Sequence, residues 1–401
     1  MPTATIELSG HIIDSMMLPR IFDAVMDMGG TFRIEEFHVG QSVDETSYTR
    51  IALSHDDIAG LTSIIAACQQ QGAALVETAA VRTEPAPTDG VFPDAFYSTG
   101  NQPTRVLVGE DWVEVEGIEM DCGIAVEAGR ARCVAVTDVR AGDAIVCGPA
   151  GIRVTPVERS RSREIFGFMT SNVSSEKPKH LIIRELAAAM REVRDRNGRI
   201  CVVGGPAIIH TGAGVHLSRM IALGYVDVLL AGNALAAHDI ESQLFGTSLG
   251  IDLRNGLPIE AGHEHHIRAI NRIRAAGGIR QAVEEGMLTS GVMYECVRAG
   301  VEVVLAGSVR DDGPLPDVIT DMIEAQRAMR AALRGVELCL MLSSMLHSIA
   351  TGNLLAAVVK TVCVDINPAV VTKLADRGSS QTLGLVTDVE SFLRELSEQL
   401  T

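Results

Sequence analysis

The chain has 401 residues and a mass of 42.7 kDa, room for two or three domains that each bury a core. Its 47% hydrophobic and 21% charged composition excludes general disorder. A net charge of −17 repels phosphate backbones and 3% aromatics offer few stacking surfaces, so nucleic acid is not expected as a partner. Residues 1–10 lack the basic and apolar segments of a secretory signal.

In chain order, residues 5–8 alternate like a strand. Asp14 or Ser15 then caps a helix through Leu18, Ile21, Phe22, Val25 and Met26, stopped by Gly29 and Gly30. Residues 32–39 and 48–53 alternate again, and residues 57–71 read as a helix ending at Gly72. This β-α-β-β-α order predicts helices on one face of a sheet. Residues 83–90, with two prolines and a glycine, read as a loop and a boundary. Residues 1–100 are therefore expected to form an N-terminal α/β domain.

Residues 101–170 carry short apolar stretches about every ten residues, at 105–108, 112–115, 123–126, 133–136 and 144–147, with Gly142 in a turn. That spacing predicts a small β subdomain. From 171 to 401 strands alternate with helices. The strands are expected at 200–204, 226–231, 301–306, 336–342, 361–365 and 383–386, and helices at 181–196 and 317–334. Near-continuous apolar strands are buried on both faces, so the expected fold is α/β, a doubly wound parallel sheet. Residues 338–359 contain no charged side chain and could span a membrane by length. Ser343, Ser344, His347, Ser348, Thr351, Gly352 and Asn353 interrupt them, so a strand, a polar turn and a helix are expected and no membrane. Eight cysteines without a C-x-x-C pair read as buried reduced thiols of a cytoplasmic protein.

Ligands of an open parallel sheet lie beyond the carboxyl ends of the strands. Asp365 ends the 361–365 strand, about twenty residues past the turn at 343–347, the offset at which dinucleotide folds keep the carboxylate that accepts ribose hydroxyls. No Gly-x-Gly-x-x-Gly precedes it, so serine hydroxyls and helix amides would hold a pyrophosphate. The other reading of Asp365 is a cap for the helix opened by Pro368. A carboxylate there favours NAD over NADP. Thr387 and Asp388 form a further polar strand tip.

Gly204, Gly205, His210, Gly212 and Gly214 follow one strand, and Asn233, His238, Asp239 and Glu241 follow the next, more polar than a structural junction needs. His263, Glu264, His265 and His266 have no H-x-x-x-H spacing and no cysteine pair, so no metal is expected; a solvated loop and an acid/base cluster are the readings left. Glu176 and Lys177 lie before Pro178 in a stretch holding two of four lysines. They read either as a solvated helix start or as a substrate loop with a base and a carboxylate anchor.

The same segments carry a resemblance. Residues 10–15 (Gly-His-Ile-Ile-Asp-Ser), Val39, Gly40, Asp44, Ser47 and Tyr48, residues 174–178 (Ser-Ser-Glu-Lys-Pro), the 204–241 stretch, residues 262–266 (Gly-His-Glu-His-His) and 344–350 resemble the archaeal-type ornithine cyclodeaminases. These share a conserved region with LOR/SDH proteins and are similar to the C-terminal part of cyanobacterial arginine dihydrolase/ornithine cyclodeaminase fusion enzymes. The arginine-hydrolysing part of the fusions is absent.

The resemblance implies a Rossmann-type domain at 171–401 similar to deoxyhypusine synthase, after regions 1–100 and 101–170. It implies NAD as a recycled cofactor lined by Asn233, Ala234, Asp312, Ser344, Met345, Leu346, His347, Asp365, Asp388 and Val389. It implies L-ornithine as substrate, closed to L-proline with loss of ammonia. Glu176, Lys177, His238, Asp239, Glu264 and His265 are the candidates for proton transfer and carboxylate binding, with roles unassigned among them. A homo-oligomer is expected. The alternatives are an NAD-dependent amino-acid or saccharopine-type dehydrogenase, a deoxyhypusine-synthase-like transferase, and a silent NAD sensor.

Overall fold

The computed structural model describes residues 1–13, 16–41, 45–76, 79–157, 179–248, 251–252, 264–311, 313–376 and 382–401. Two compact units emerge, the described residues of 1–160 with 355–358, and the remaining described residues.

The first unit begins with strand Thr3–Gly10, helix Met17–Asp27, strands Thr31–His38 and Ser47–Ser54, helix Ile58–Gln70 and the short strand Ala74–Leu75. In space the strands run Thr31–His38, Ser47–Ser54, Thr3–Gly10, Ala74–Leu75, antiparallel throughout, which is the split βαβ plan. Alternation sends Ile6, Leu8, Ile51 and Leu53 to one face, where they are buried with Leu18, Ile21, Val25, Leu61 and Ile64 of the two helices. Asp57 starts the second helix by accepting from the Gly60 N–H. The expected caps of the first helix, Asp14 and Ser15, lie outside the described residues.

The rest of this unit is a seven-stranded sheet, in spatial order Ile152–Val154, Thr104–Val108, Asp111–Glu116, Arg130–Val134, Gly123–Glu127, Ala144–Cys147 and Arg82–Pro85. The last strand corrects the loop expected at residues 83–90. Among the described residues it pairs with Ala144–Cys147 alone, and Pro85 is tolerated because an edge strand needs no second ladder. The buried Gln69 amide donates to the carbonyls of Pro149 (2.8 Å) and Ile152 (3.2 Å), which ties the helix Ile58–Gln70 to this sheet.

The second unit is a parallel seven-stranded sheet. Its chain order is Arg199–Gly204, Val228–Gly232, Glu302–Ala306, Val318–Ile319, Val336–Leu342, Lys360–Asp365, Thr382–Val386. From Arg199–Gly204 the next three strands run outward on one side, and the last three run outward on the other. The order therefore reverses between Arg199–Gly204 and Val336–Leu342, which is where a doubly wound sheet opens a crevice.

The expected helix at 317–334 is shorter than the sequence suggests. Val318 and Ile319 add an edge strand, and Asp321 caps the helix Met322–Ala332. The charge-free segment 338–359 divides into the end of a strand and the helix Leu346–Leu354. Among the described residues no helix is long and apolar enough to cross a membrane.

At the reversal point two backbones cross. Gly205 N–H donates to Leu342 O at 2.9 Å, and a Cβ on Gly205 would sit 1.8 Å from Ser343 O. Ser343 itself holds a left-handed φ of 48°, which a side chain adopts only under constraint. Gly205→Ala should lower the stability of this unit by about 1–3 kcal/mol, the usual cost of overpacking. Urea unfolding of wild type and variant checks this; equal midpoints would mean the turns have room to part.

Candidate active site

The carboxyl edge of the parallel sheet gathers the polar strand tips. Asp365 is buried; its Oδ1 accepts from Asn367 N–H at 2.8 Å, while its carbonyl accepts from Thr387 N–H at 3.1 Å. The turn after Val336–Leu342 holds the buried Ser344, and His347 follows in the next helix. The His347 ring donates to the Ala306 carbonyl at a third strand tip, and it presses on Gly232, where a Cβ would lie 2.9 Å from Cε1. Burial lowers the His347 pKa and keeps the imidazole neutral near pH 7.

Other expected nucleotide residues serve the fold as well as the edge. Asp388 caps the helix Val389–Gln399 by accepting from Ser391 N–H at 2.9 Å, and the Val389 side chain is buried in the core. Asn233 Oδ1 accepts from Leu315 N–H at 3.0 Å. Ala234 is half-buried one residue along. Lys179, at the start of the helix Lys179–Asp195, donates to Thr387 Oγ1 at 3.0 Å and brings a cation to this edge. Asp312 lies outside the described residues.

These groups fit a dinucleotide. Asp365 offers carboxylate oxygens for ribose hydroxyls. The helix Asn233–Phe245 starts at Gly232 without a side-chain cap, so its first amides are available to a phosphate. Leu346 and Ile366 are 70% and 73% exposed, apolar surface of the kind a flat base covers.

A second cluster lies on the helix Asn233–Phe245. His238 Nδ1 lies 2.8 Å from Glu241 Oε2, and the Glu241 side chain is fully buried. Thr247 Oγ1 donates to Glu241 Oε1 at 2.8 Å and lies 2.8 Å from His265 Nδ1. A carboxylate only accepts, so His238 donates from Nδ1. The Thr247 proton is committed to Glu241, so His265 donates from its own Nδ1. One carboxylate thereby fixes both tautomers and leaves the two Nε2 atoms as acceptors. The His210 ring meets His238 edge-on at 4.8 Å, its Nδ1 lies 2.6 Å from Ser248 Oγ, and His266 lies 6.3 Å from His238. Burial, then the neighbouring His238, lowers the His210 pKa to about 4.

Two other acid/base candidates, Asp239 and Glu264, make contacts within the fold. Asp239 accepts from Val292 N–H (3.0 Å) and Met293 N–H (2.8 Å), so it holds the start of the helix Val292–Ala299. Burial raises its pKa to about 6 against the lowering effect of those two bonds. Glu264 is spent on an ion pair with Arg268 one turn along. Glu176, Lys177 and His263 lie outside the described residues. Among the described residues no three His, Cys, Asp or Glu side chains form a group able to hold a metal. The sequence reading missed the parts of His210, Thr247 and Ser248 and noted Glu241 without a role. The signal was His238 and Glu241 at i, i+3, one face of one helix.

Comparison with known proteins follows this geometry. Residues 184–396 match the family model "Arginine dihydrolase ArgZ-like, C-terminal, Rossmann fold", residues 103–183 its "first region", and residues 3–102 the "LOR/SDH bifunctional enzyme conserved region". The chain is 54% identical to the ornithine cyclodeaminase of Methanopyrus kandleri, across 98% of this chain and 96% of that one. It superposes on apo ArgZ, an arginine dihydrolase from the ornithine-ammonia cycle in cyanobacteria, with a TM-score of 0.87 at 40% identity. It also matches a ternary complex of AgrE with ornithine and NAD+, with a TM-score of 0.53 at 43% identity. The whole chain is covered in both, but it spans only 58% and 57% of those two chains.

The His210 shift has a sign that can be measured. An unfolded chain protonates this imidazole at its ordinary 6.5, while the folded protein resists until about 4. Between those values the unfolded state binds the extra proton, so stability falls as pH falls, and none of this effect exists above 6.5. Wild type should lose stability relative to His210→Asn from pH 6.5 towards pH 4, followed by chemical unfolding at each pH. A constant difference would place His210 in water.

Proposed function

The chain belongs to the ornithine cyclodeaminase family, and we propose that it closes L-ornithine to L-proline with release of ammonia, using NAD as a recycled cofactor. The observation that carries this reading is the Glu241-fixed pair of imidazoles on and beside the helix that starts at strand tip Gly232, in the same unit as the Asp365 edge. The AgrE relative that holds ornithine and NAD+ together supports the choice of ligands. When bound, NAD supplies a reversible hydride acceptor for the substrate α-carbon, so no net oxidation accompanies ring closure.

The residues of this chain then bind, orient and move protons. Asp365 binds the adenosine ribose, the helix starts at Asn233 and Leu346 with Ser344 hold the pyrophosphate, and Met345, Leu346 and Ile366 cover the base. His347, neutral and locked to Ala306, keeps the turn in place. His238 Nε2 takes the proton that the substrate ammonium must lose, with Glu241 orienting the ring. His265 Nε2 takes the proton that the δ-ammonium must lose before it attacks, and the protons held on the two rings return to the departing ammonia and the product amine. Lys177 anchors the substrate carboxylate and Glu176 assists as a base, both shortly before Lys179 in the chain. Asp312, Asp388, Asn233, Ala234 and Val389 complete the cofactor edge. We also infer a cytoplasmic homo-oligomer built from regions 1–100, 101–170 and 171–401. Its eight cysteines are all free, in keeping with a reducing compartment.

Two measurements test the reading. Asp365→Ala should weaken NAD binding by about 1.5–3 kcal/mol, roughly ten- to a hundredfold in Kd, as expected for a hydrogen bond to a charged group. Titration of NAD into both proteins checks it, and equal affinities would remove Asp365 from the site. Ornithine deuterated at the α-carbon should give proline that keeps the label in ordinary water. Label found in accumulating NADH would mean a dehydrogenase, and label lost to water would mean a carbanion route. Mass spectrometry of the product separates these outcomes.

A further inference from the structure

The first unit contains one long strand with an open side. Among the described residues, Thr31–His38 is the outer strand of the four-stranded sheet and pairs only with Ser47–Ser54. Seven of its eight residues are exposed, among them Ile34 and Phe37 at 42% each. An edge of this length presents a row of free backbone donors and acceptors, and proteins usually guard such edges with lysine, proline or a bulge. This strand has no lysine and no proline, and its one irregular step is at Glu35.

The two faces of the strand differ. Phe32, Ile34 and Phe37 stand opposite Leu53, Ile51 and Thr49, which are buried under the helices, and Phe32 stacks on Phe22 of the first helix at 4.3 Å. Arg33, Glu36 and His38 stand opposite Ala52, Arg50 and Tyr48 on the other face.

We propose that Thr31–His38 pairs antiparallel, about a two-fold axis, with the same strand of a second copy of this chain. The sequence of the strand is self-complementary in one register. Phe32 meets the partner's Phe37 on the helix-covered face, and Arg33 meets the partner's Glu36 on the open face. Symmetry repeats both pairs on the other side of the axis. The irregular step at Glu35 falls at the axis itself, between the two matched halves. A slip of one residue sets Phe32 against the partner's Glu36, or Glu35 against the partner's Glu35, so the neighbouring registers are disfavoured. The matched register extends the sheet and covers the apolar rim of Ile34 and Phe37.

This proposal names the surface for the self-association inferred above and rests on that reading. Sedimentation of the full chain should give a mass that is an even multiple of 42.7 kDa. Arg33→Glu, at a position whose side chain is 80% exposed, places like charges at both matched pairs and should halve that mass. The double exchange Arg33→Glu/Glu36→Arg should restore it. Amide exchange at residues 32–37 should be at least tenfold slower in the associated form than after dilution. A wild type that stays monomeric at every concentration overturns the self-association reading itself. Association that survives Arg33→Glu, with residues 32–37 exchanging fast, leaves that reading standing and overturns this surface.

Discussion

The backbone of Gly205 passes against the carbonyl of Ser343, and the rest of the second unit is arranged around that crossing. Parallel strands with helical crossovers must send their connections to one face or the other. Strands counted outward from Arg199–Gly204 on one side and from Val336–Leu342 on the other send them to opposite faces, so the turns leaving the two central strands diverge at their carboxyl ends. A side chain at position 205 would force the two turns apart. A left-handed Ser343 is the counterpart, since it turns the chain so that Ser344 and the following helix face the edge. His347 then reaches sideways to Ala306 and Gly232, which links the second half-sheet to the first by a half-buried imidazole.

Charge is managed locally against a strongly acidic background. A chain of net charge −17 does not attract an anionic cofactor at long range, so on the proposed reading binding depends on short-range donors: the uncapped amides after Gly232, the hydroxyls near Ser344, and Lys179 against Thr387. The opposite problem arises at Glu241, a carboxylate with no exposure. Its burial would be costly alone, and donors on both oxygens, Thr247 and His238, offset that cost. Neutral His210 and His347 add no charge to either cluster.

Much of the parallel sheet was legible because its strands are apolar on both faces and their tips are polar, a contrast visible in the residues 361–367 alone. The single cue at Asp365 depended on chain offset, which survives without any knowledge of tertiary contacts. The histidine cluster was harder. His238 and Asp239 are adjacent in sequence, yet neighbours on a helix point about 100° apart, so one faces the histidine cluster and the other the start of Val292–Ala299. Composition cannot separate Asp239 from Glu241 as a partner for His238; helical phase can, and it selects the residue three positions on. Thr247, Ser248 and His210 join only through tertiary closure, with no local pattern to announce them. The short strands Val318–Ile319 and Ile152–Val154 escaped for a related reason, since two or three residues carry no measurable alternation.

On the proposed reading, the chemistry explains why two imidazoles share one acid. The substrate amine must give up a proton before hydride can leave its carbon, and ammonia must gain one before it departs. The δ-ammonium must lose a proton as well before it can attack, so two protons leave the substrate before the ring closes, and one imidazole nitrogen cannot hold both. Two rings can hold them if each exposes Nε2 and holds Nδ1–H toward the protein. Glu241 enforces that state on His238 directly and on His265 through Thr247, whose hydroxyl donates to the carboxylate and accepts from the ring. A positive charge arising on either ring is then stabilised by the same buried carboxylate. On that reading each ring gains a proton at Nε2 and gives it back to the departing ammonia or the product amine without having to rotate.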